Sequence, residues 1–355
     1  MERKITQTLI GWKSDPERRP LIITGCRQIG KTFSIKEFVS SEYRSYMYIN
    51  FEIQPDKKDL FKGNCSADEL ISRLILSENI RMYPGESAIV LDEIQACTEA
   101  YSALKPLSED KRFDIICSGS FLGINLDDDD DHLSPLGYAK IVQMTPMDFE
   151  EYLWAMGINK DLISDVRARV QNLERVDDYF HQAFTKHFRT YMVVGGMPAA
   201  VKTYAETKDY VKTSDVLQDI ISILKKDTGK DSRKAGRTKI NKCLDSIPRQ
   251  LSKENKRFVY SDVEKKKGVG RKTYGSALDW LKEAGLISLC NNLTEPNKPL
   301  SGKGVEDAFK VFMNDPGLLM ALMDACDPAD IVLRDPYSNN GAMMECAVAS
   351  ALVKK

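Results

Sequence analysis

Residues 1–150 are predicted to form an α/β domain with a mainly parallel sheet. Five short apolar runs have the length and β-branched content of buried strands, and segments of helical periodicity separate them. The runs span residues 20–24, 46–51, 87–91, 113–117 and 139–144. Alternation of this kind predicts parallel pairing with helices on both faces of the sheet, and it places ligands at the carboxyl ends of the strands.

The first run leads directly into GCRQIGKT, which fits the phosphate-loop pattern G-x-x-x-x-G-K-[ST] at every required position. In this pattern backbone N–H groups curl round a phosphate, the lysine reaches the terminal phosphates and the hydroxyl ligates Mg²⁺. The residues that follow recur at helical spacing, so Lys31 and Thr32 stand where a positive helix end faces the anion. The alternative is a glycine turn without a ligand. The predicted nucleotide-binding residues are Gly25, Cys26, Arg27, Gln28, Ile29, Gly30, Lys31 and Thr32.

Asp92 and Glu93 follow the run 87–91 and form the arrangement known as Walker B. A carboxylate at the end of a parallel strand can hold Mg²⁺, and the next one, on the opposite side of the pleat, can polarise an attacking water. We therefore expect Thr32 and Asp92 to hold the metal, Glu93 to act as general base and Lys31 to serve catalysis on the phosphates. A strand end followed by a helix N-cap is the alternative.

Ser118-Gly119-Ser120 follows the run 113–117 and brings small hydroxyl groups to the same edge of the sheet. In additional-strand nucleotide hydrolases a polar group at this place lies between the phosphate loop and the acid pair and helps to position the water. Ser118 or Ser120 is expected to take this role. A plain turn is the competing interpretation, because Ser-Gly is also common turn chemistry.

The chain has 355 residues and a formal net charge of −1. This length allows two or three domains, and the charge gives no overall bias toward nucleic acid or anionic membranes. The eight cysteines stand singly and without a metal-ligand pattern, so free thiols are expected. No apolar run reaches the length of a membrane span, and residues 1–4 lack the apolar start of a signal peptide. A cytoplasmic protein without membrane contact is therefore expected.

Seven blocks in this order resemble the prokaryotic AAA-like ATPases of the AAA_14/DUF4143 family. The blocks are GCRQIGKT at 25–32, IVLDEIQ at 89–95, CSGS at 117–120, TPMDFEEYLWAMG at 145–157, YMVVGGMPAAV at 191–201, YGSALDWLKEAGLI at 274–287 and FKVFMNDPGLL at 309–319. The resemblance implies an additional-strand P-loop ATPase domain, a helical segment and a winged-helix-like DUF4143 region, with ATP rather than GTP as the nucleotide. The corresponding boundaries are 1–150, 151–228 and 229–340, with 341–355 as the start of an incomplete C-terminal domain.

Two features depart from the family pattern. Many relatives continue into a nuclease-like domain, whereas this chain offers only an apolar helical segment at 341–353, so no nuclease activity is expected. Either the chain is a truncated form, or another surface covers this helix. No arginine stands between Gly119 and Lys140. An arginine that completes the site would come from another subunit or from the helical region, or be absent, and a homo-oligomer and a protein partner both fit.

The remaining segments carry weaker signals. Gly195–Pro198 breaks a helical run and predicts a tight bend, and the basic stretch Lys225–Lys242 predicts an exposed linker. The acidic run 127–131 predicts a surface loop rather than a metal site, because adjacent like charges repel. A helix that begins with basic residues after a turn is how a winged helix meets DNA, although a lysine run is usually a solvated face and protein contact stays open. The candidate DNA contacts are Lys265, Lys266, Arg271 and Lys272.

Two functional hypotheses follow. The first is Mg²⁺-dependent ATP hydrolysis that drives a conformational change in the winged-helix-like region. The second is a nucleotide-gated protein- or DNA-binding module with little turnover. The presence of Glu93 favours the first, and the missing local arginine leaves room for the second. Phosphate transfer to a small molecule is a weaker third option, because the adjacent acids favour water as the acceptor.

Overall fold

The computed structural model describes most of the chain. The described residues are 1–63, 66–119, 137–227, 234–266, 268–294, 304–323, 332 and 341–354. They form two compact units: an N-terminal unit, Arg3–Met144, and a C-terminal unit, Thr145–Lys355 together with Met1–Glu2. The division falls slightly before the predicted boundary at residue 150. The predicted segments 151–228 and 229–340 lie in one unit.

The N-terminal unit alternates strands with helices, as its apolar runs predict. Its elements are α1 Ile5–Lys13, β1 Leu21–Thr24, α2 Lys31–Glu42, β2 Ser45–Asn50, α3 Ala67–Glu78, β3 Ser87–Asp92, α4 Thr98–Asp110, β4 Asp114–Gly119 and β5 Lys140–Gln143. Short 3₁₀ turns at Pro55–Phe61 and Ile94–Ala96 follow β2 and β3. All five predicted strands are present, each within two residues of its expected ends.

The five strands form one sheet in the order β2-β3-β4-β1-β5, and every neighbouring pair is parallel. The predicted parallel α/β fold is therefore confirmed. Strand β4 lies between β1 and β3, so the strands that carry the phosphate loop and the acid pair are separated by the strand that ends in Ser118 and Gly119. The register pairs Thr24 with Gly119 and Asn50 with Asp92, which aligns the carboxyl ends along one edge.

Burial explains why these runs become central strands. Every residue of β3 is buried, and Leu21, Ile22 and Ile23 of β1 have no exposed surface. A parallel sheet covered on both faces needs apolar side chains on both sides of each strand, which is why the runs are continuous rather than alternating. Strand β5 lies at the sheet edge and is mostly exposed.

The C-terminal unit is mainly helical and contains one antiparallel hairpin, β6–β7. Its elements are α5 Phe149–Ala155, α6 Lys160–Gln171, α7 Asp178–Val194, α8 Pro198–Thr207, α9 Tyr210–Asp227, α10 Lys234–Leu251, α11 Ser261–Glu264, α12 Arg271–Glu283, β6 Ile287–Leu293, β7 Gly304–Met313, α13 Pro316–Leu322 and α14 Gly341–Val353. Three helices, α10 to α12, thus precede the hairpin. The predicted helical segment after the sheet is confirmed.

The chain bends at Gly195–Gly196, between α7 and α8, and this bend packs closely against residues that are distant in the sequence. Gly195 has a φ of 71°, and a Cβ at either glycine would overlap other atoms, the Asp315 carboxylate in one case and the Met147 carbonyl in the other. The buried carboxylate of Asp315 accepts from the backbone N–H groups of Gly196 and Leu318, and the second bond caps α13. Burial raises the pKa of Asp315, and the charge of Lys354 opposes the rise.

The structure overturns one expectation for the C-terminal unit and decides between two alternatives for its last helix. The described parts of the expected exposed linker Lys225–Lys242 are helical, because α9 runs to Asp227 and α10 begins at Lys234, with Ile240 buried. Residues 228–233 lie outside the described residues. For helix α14, coverage by another surface of the chain is the alternative that is observed. Its Cys346 thiol is buried and donates to the Met313 carbonyl at 3.1 Å. The helix carries small and apolar side chains on one face, and that face packs on β7 and α13.

Other sequence expectations concern the chain as a whole. The cysteines in the described ranges are free thiols, as expected. Within those ranges, no helix is both long enough and apolar enough to cross a bilayer. Ser120 and the acidic run 127–131 lie outside the described residues.

Candidate functional site

The phosphate loop joins β1 to α2 through backbone angles that favour glycine. Gly25 and Gly30 have φ values of 142° and 90°, and Gln28 adopts 65° without being glycine. A Cβ on Gly25 would overlap the carbonyl oxygen of Met144. Gly30 is the N-cap of α2 and has no side chain to cap the N–H groups of the first turn. These N–H groups and the positive end of the helix form a site suited to an anion.

Lys31 is the first residue of α2 and lies almost fully buried, with 6% of its surface exposed. Its Nζ donates to the carbonyl oxygens of Gly25 and Cys26 at 2.8 and 2.9 Å. Burial lowers the pKa of Lys31, and the negative charge of Glu93 is the largest opposing influence. The ammonium group is thus held against the loop backbone, at the place where the pattern predicts phosphate.

Asp92 ends β3 and connects the predicted metal-binding and water-positioning residues. The Thr32 hydroxyl donates to its Oδ2 at 2.9 Å, and the Ser118 hydroxyl donates to its Oδ1. The backbone N–H of Glu93 donates to Oδ1 as well, at 3.1 Å. Asp92 is only 1% exposed, so these donors stabilise a carboxylate that would otherwise be costly to bury. Thr32, Asp92 and Ser118 therefore meet at one point of the sheet edge.

Glu93 leaves the strand with a φ of 54° and a ψ of 47°, in the left-handed region. Strand β3 ends at Asp92. The direction of the Glu93 side chain is therefore not set by the alternation of side chains along a strand, which the sequence led us to expect. The Gln95 amide donates to Oε2 of Glu93 at 2.5 Å. Burial raises the pKa of Glu93, while Gln95 and the charge of Lys31 oppose the rise. A non-glycine residue in this conformation is strained by about 1 kcal/mol or more, which is typical of functional sites.

Tyr48 and Asn50, on the neighbouring strand β2, are site residues that the sequence did not reveal. The Tyr48 hydroxyl donates to Oδ2 of Asp92 at 2.5 Å, and the Asn50 amide donates to the same oxygen at 3.1 Å. The Lys36 ammonium lies 3.6 Å from the centre of the Tyr48 ring. Residues two apart on a strand share a face, which is a signal present in the sequence. That β2 pairs with β3 becomes visible only in the structure.

The remaining loop residues shape or surround the site. Cys26 and Ile29 are buried, and Arg27 forms an ion pair with Glu52 at 3.2 Å. Arg3, which lies just before α1, is also buried. Its guanidinium donates to the carbonyl oxygen of Ile29 at 2.6 Å and thereby stabilises the loop backbone. The structure thus gathers Lys31, Thr32, Asp92, Glu93 and Ser118 at one edge of the sheet.

Residues 17–153 match the family model described as an AAA domain, AAA_14. This part of the chain is an AAA-like nucleotide-binding module. Residues 185–328 match a second family model, a domain of unknown function called DUF8612. The match in this region is to DUF8612 and not to DUF4143, so the DUF4143 part of the resemblance stays a prediction. A comparison with curated proteins gives no match.

Several solved structures are similar to the chain at low identity. The Aeropyrum pernix ORC1 protein in complex with DNA is 11% identical over 99% of this chain and 92% of that one, with a TM-score of 0.33. AMPPCP-bound DnaA from Aquifex aeolicus is 13% identical over 80% and 89%, with a TM-score of 0.34. Drosophila ORC bound to DNA is 12% identical over 93% and 85%, with a TM-score of 0.28. These similarities are too distant to carry a functional assignment.

The donors of the AAA-like module suit a phosphate chain with Mg²⁺. Thr32 and Asp92 offer a hydroxyl and a carboxylate oxygen 2.9 Å apart, and both are oxygen ligands of the kind Mg²⁺ prefers. Mg²⁺ commonly takes one or two protein ligands and completes its shell with water and substrate phosphates. The uncapped first turn of α2 and the ammonium of Lys31 supply cationic and N–H groups for the phosphates themselves.

The four basic residues predicted to contact DNA surround the start of α12 in the C-terminal unit. Lys265 directly follows α11 with a φ of 56°, and Arg271 is the first residue of α12. All four side chains are exposed, and they form no salt bridge with the residues that the structure describes. Basic residues at a helix N-terminus oppose the helix dipole, so this end of α12 is strongly positive. The four residues are Lys265, Lys266, Arg271 and Lys272.

Proposed function

We propose that this chain hydrolyses ATP with Mg²⁺ in its AAA-like module. The observation that carries the proposal is the position of Asp92, which accepts from both Thr32 and Ser118 and directly precedes Glu93. A metal-holding acid, a hydroxyl from the phosphate loop and an acid of raised pKa thereby lie at the edge where an anion would bind. This combination supports water, rather than a second substrate, as the acceptor of the phosphoryl group.

Each residue has a distinct task in this proposal. Lys31 exchanges the carbonyls of Gly25 and Cys26 for the terminal phosphates and thereby neutralises charge that grows on the leaving group. Glu93 takes the proton of the water whose oxygen attacks the terminal phosphorus, and ADP departs. A raised pKa suits a general base that works near neutral pH. Thr32 and Asp92 hold Mg²⁺, which when bound neutralises the phosphate oxygens.

Phosphate release by wild type and Glu93→Gln tests this proposal. We expect the variant to bind a fluorescent ATP analogue as wild type does, and to turn over about 100-fold more slowly, because a general base contributes at least this factor. Glu37→Gln, on the exposed side of α2, is the matched control and should retain full turnover. If wild type and Glu93→Gln bind ATP equally and release phosphate equally slowly, hydrolysis is not the function.

The contact between Gln95 and Glu93 favours a second candidate function, a nucleotide-gated binding module. The Gln95 amide occupies Oε2 of Glu93, and a base held in this way accepts a proton poorly. In that case ATP occupancy, rather than turnover, would control a protein or DNA contact. Gln95→Ala distinguishes the two functions, since it should raise turnover if Gln95 restrains the base. It should leave turnover negligible if occupancy alone is the signal.

We further propose that helices α10 to α12 and the β6–β7 hairpin form a winged-helix-like region that responds to hydrolysis and contacts DNA. Three helices followed by an antiparallel hairpin have the order of such a region. The exposed cations at the start of α12 support contact with phosphates. In this proposal the ATPase domain comprises residues 1–150, and the helical segment comprises residues 151–228. The winged-helix-like region comprises residues 229–340, and residues 341–355 begin an incomplete C-terminal domain.

A further inference from the structure

The phosphate loop carries a second cation besides Lys31. Arg27 is the third residue of the loop, and its Nη2 lies 3.2 Å from Oε1 of Glu52. The two side chains are 21% and 37% exposed, so the pair is accessible from solvent. A polyphosphate carries more charge than one carboxylate and matches the planar guanidinium fork, so it can compete for Arg27.

The partner of Arg27 is connected to the acid that ends β3. The backbone N–H of Glu52 donates to Oδ1 of Asn50 at 3.0 Å. The amide of Asn50 in turn donates to Oδ2 of Asp92 at 3.1 Å. The ion pair therefore belongs to the same hydrogen-bonded edge as the residues that hold the metal in the proposed function. It is not an isolated surface pair.

The charges of the pair also reach the two residues that act on the phosphates and the water. Burial is the main cause of the lowered pKa of Lys31, and the positive charge of Arg27 adds to it. Burial is also the main cause of the raised pKa of Glu93, and the negative charge of Glu52 adds to it. Both effects require proximity, because charges at a protein surface are screened over about 10 Å.

The transition state for phosphoryl transfer spreads negative charge over the terminal oxygens, and an additional cation there accelerates the reaction strongly. Lys31 is one such cation. Arg3 also contacts the loop, but it is buried on the carbonyl of Ile29 and supports the backbone instead. Between Gly119 and Lys140 the sequence offers no arginine. Arg27 is thus a cation on the loop itself, in a position to meet a terminal phosphate.

We propose that Arg27 binds the terminal phosphate of a nucleoside triphosphate, and that Glu52 holds the guanidinium beside the site until the nucleotide replaces it. This inference rests on the nucleotide site of the proposed function. It assigns to the chain's own loop the arginine that other hydrolases receive from elsewhere. It also gives the site a means to distinguish triphosphate from diphosphate, because only the former carries the group that Arg27 contacts.

Equilibrium binding of fluorescent ADP and of a fluorescent, non-hydrolysable ATP analogue, with Mg²⁺, tests the inference on the full chain. We expect Arg27→Gln to weaken the triphosphate analogue about tenfold, as for loss of a charge-assisted bond, and to leave ADP affinity unchanged. Arg27→Lys should recover part of the affinity, because it keeps the charge but loses the fork. Glu52→Gln should tighten the triphosphate analogue. Arg44→Gln removes a comparable pair with Glu86 and should change neither affinity.

The outcomes separate this inference from the proposed function. Equal weakening of ADP and the triphosphate analogue by Arg27→Gln would show that Arg27 only shapes the loop, and unchanged binding of both would exclude the contact. Either result overturns the inference even when wild type hydrolyses ATP. Conversely, selective loss of triphosphate binding supports Arg27 even when wild type releases no phosphate, in which case only the hydrolysis proposal fails. A thermal unfolding midpoint equal to that of wild type verifies that each variant is folded.

Discussion

The hydroxyl of Thr32 donates a 2.9 Å hydrogen bond to Oδ2 of Asp92, although the two residues are 60 positions apart in the chain. Asp92 ends β3, and Thr32 lies in the first turn of α2, which follows β1. Because β4 separates β1 from β3 in the sheet, the bond does not join neighbouring strands. The side chain of Ser118, at the end of β4, donates to the other oxygen of the same carboxylate. The order of the strands thereby brings side chains from two distant parts of the chain to one acid.

Thr32→Val should weaken the response of nucleotide binding to Mg²⁺. The substitution keeps the shape of the side chain but removes the hydroxyl that the proposal assigns to the metal. We expect the Mg²⁺ concentration at half-maximal binding of an ATP analogue to rise about tenfold, as for loss of a partner in a metal site. Thr32→Ser keeps the hydroxyl and should behave as wild type. An unchanged Mg²⁺ titration of Thr32→Val would remove Thr32 from the metal site.

Tyr48→Phe should destabilise the N-terminal unit, because buried Asp92 loses a donor at 2.5 Å. Loss of a hydrogen bond to a charged group lowers the free energy of unfolding by about 1.5–3 kcal/mol. Tyr46→Phe, two residues earlier on the same strand, is the matched control, since its hydroxyl accepts a long hydrogen bond of 3.4 Å from Ser40 and does not contact Asp92. Chemical denaturation measures both variants. Equal stabilities of the two would show that Tyr48 contributes nothing to holding Asp92.

The raised pKa of Glu93 predicts two effects of pH. A carboxyl group whose pKa is higher in the folded than in the unfolded state favours folding at low pH, and this contribution is lost as pH rises through the folded-state pKa. Glu93→Gln should therefore be more stable than wild type at neutral pH, and the difference should vanish in acid. As pH is lowered, Glu93 becomes protonated and the rate of phosphate release by wild type should fall. This fall should occur at a higher pH than it would with a glutamate of ordinary pKa.

Thermal unfolding of wild type and Glu93→Gln across pH checks the first effect, and a rate profile checks the second. Glu37→Gln, which is exposed on α2, should follow wild type at every pH. A constant difference between wild type and Glu93→Gln from acid to neutral pH would contradict the assignment of the raised pKa to Glu93.

The sequence predicted the sheet and much of the site because local signals carry both. Continuous apolar runs require burial on both faces, and the phosphate loop and the pair Asp92-Glu93 are local motifs at strand ends. Tyr48 and Asn50 were missed because their role depends on β2 pairing with β3. Strand order follows from packing of the whole chain, which no local pattern encodes.

The wrong expectation of a linker in the C-terminal unit has a different origin. In α10 the basic residues suggested a linker, yet its apolar residues recur at the helical period, and this stripe is buried in the structure. The buried residues are Ile240, Cys243, Leu244, Ile247 and Leu251. The hydrophobic period was the stronger signal, because a helix is positioned by its buried face while its charges stay in water. The contact of Gly195–Gly196 with Asp315 joins two sequence blocks that show no relation in the sequence.

Gly196→Ala should destabilise the C-terminal unit strongly. Its Cβ would overlap the Met147 carbonyl, which is backbone and also accepts from Lys354, so the clash cannot be relieved by a side-chain rotation. We expect a loss of about 3 kcal/mol or more in the free energy of unfolding. Gly270→Ala, where nothing lies within 4 Å, should change it by about 0.5 kcal/mol at most. If Gly196→Ala loses as little stability as Gly270→Ala, the bend at Gly195–Gly196 tolerates a side chain.

DNA binding by the C-terminal unit predicts a dependence on salt and on the cations at the start of α12. Each phosphate contact that is lost should reduce the slope of log K against log salt by about 0.9. Changing Lys265, Lys266, Arg271 and Lys272 together to Gln should therefore weaken binding to duplex DNA and flatten this slope. Lys282→Gln, near the opposite end of the same helix, should leave both the affinity and the slope unchanged.

Anisotropy titrations at several salt concentrations measure the slope, and phosphate release with and without DNA measures coupling to the AAA-like module. If the fourfold variant binds with the wild-type slope, the positive end of α12 does not contact DNA, and a protein partner becomes the better candidate for this surface.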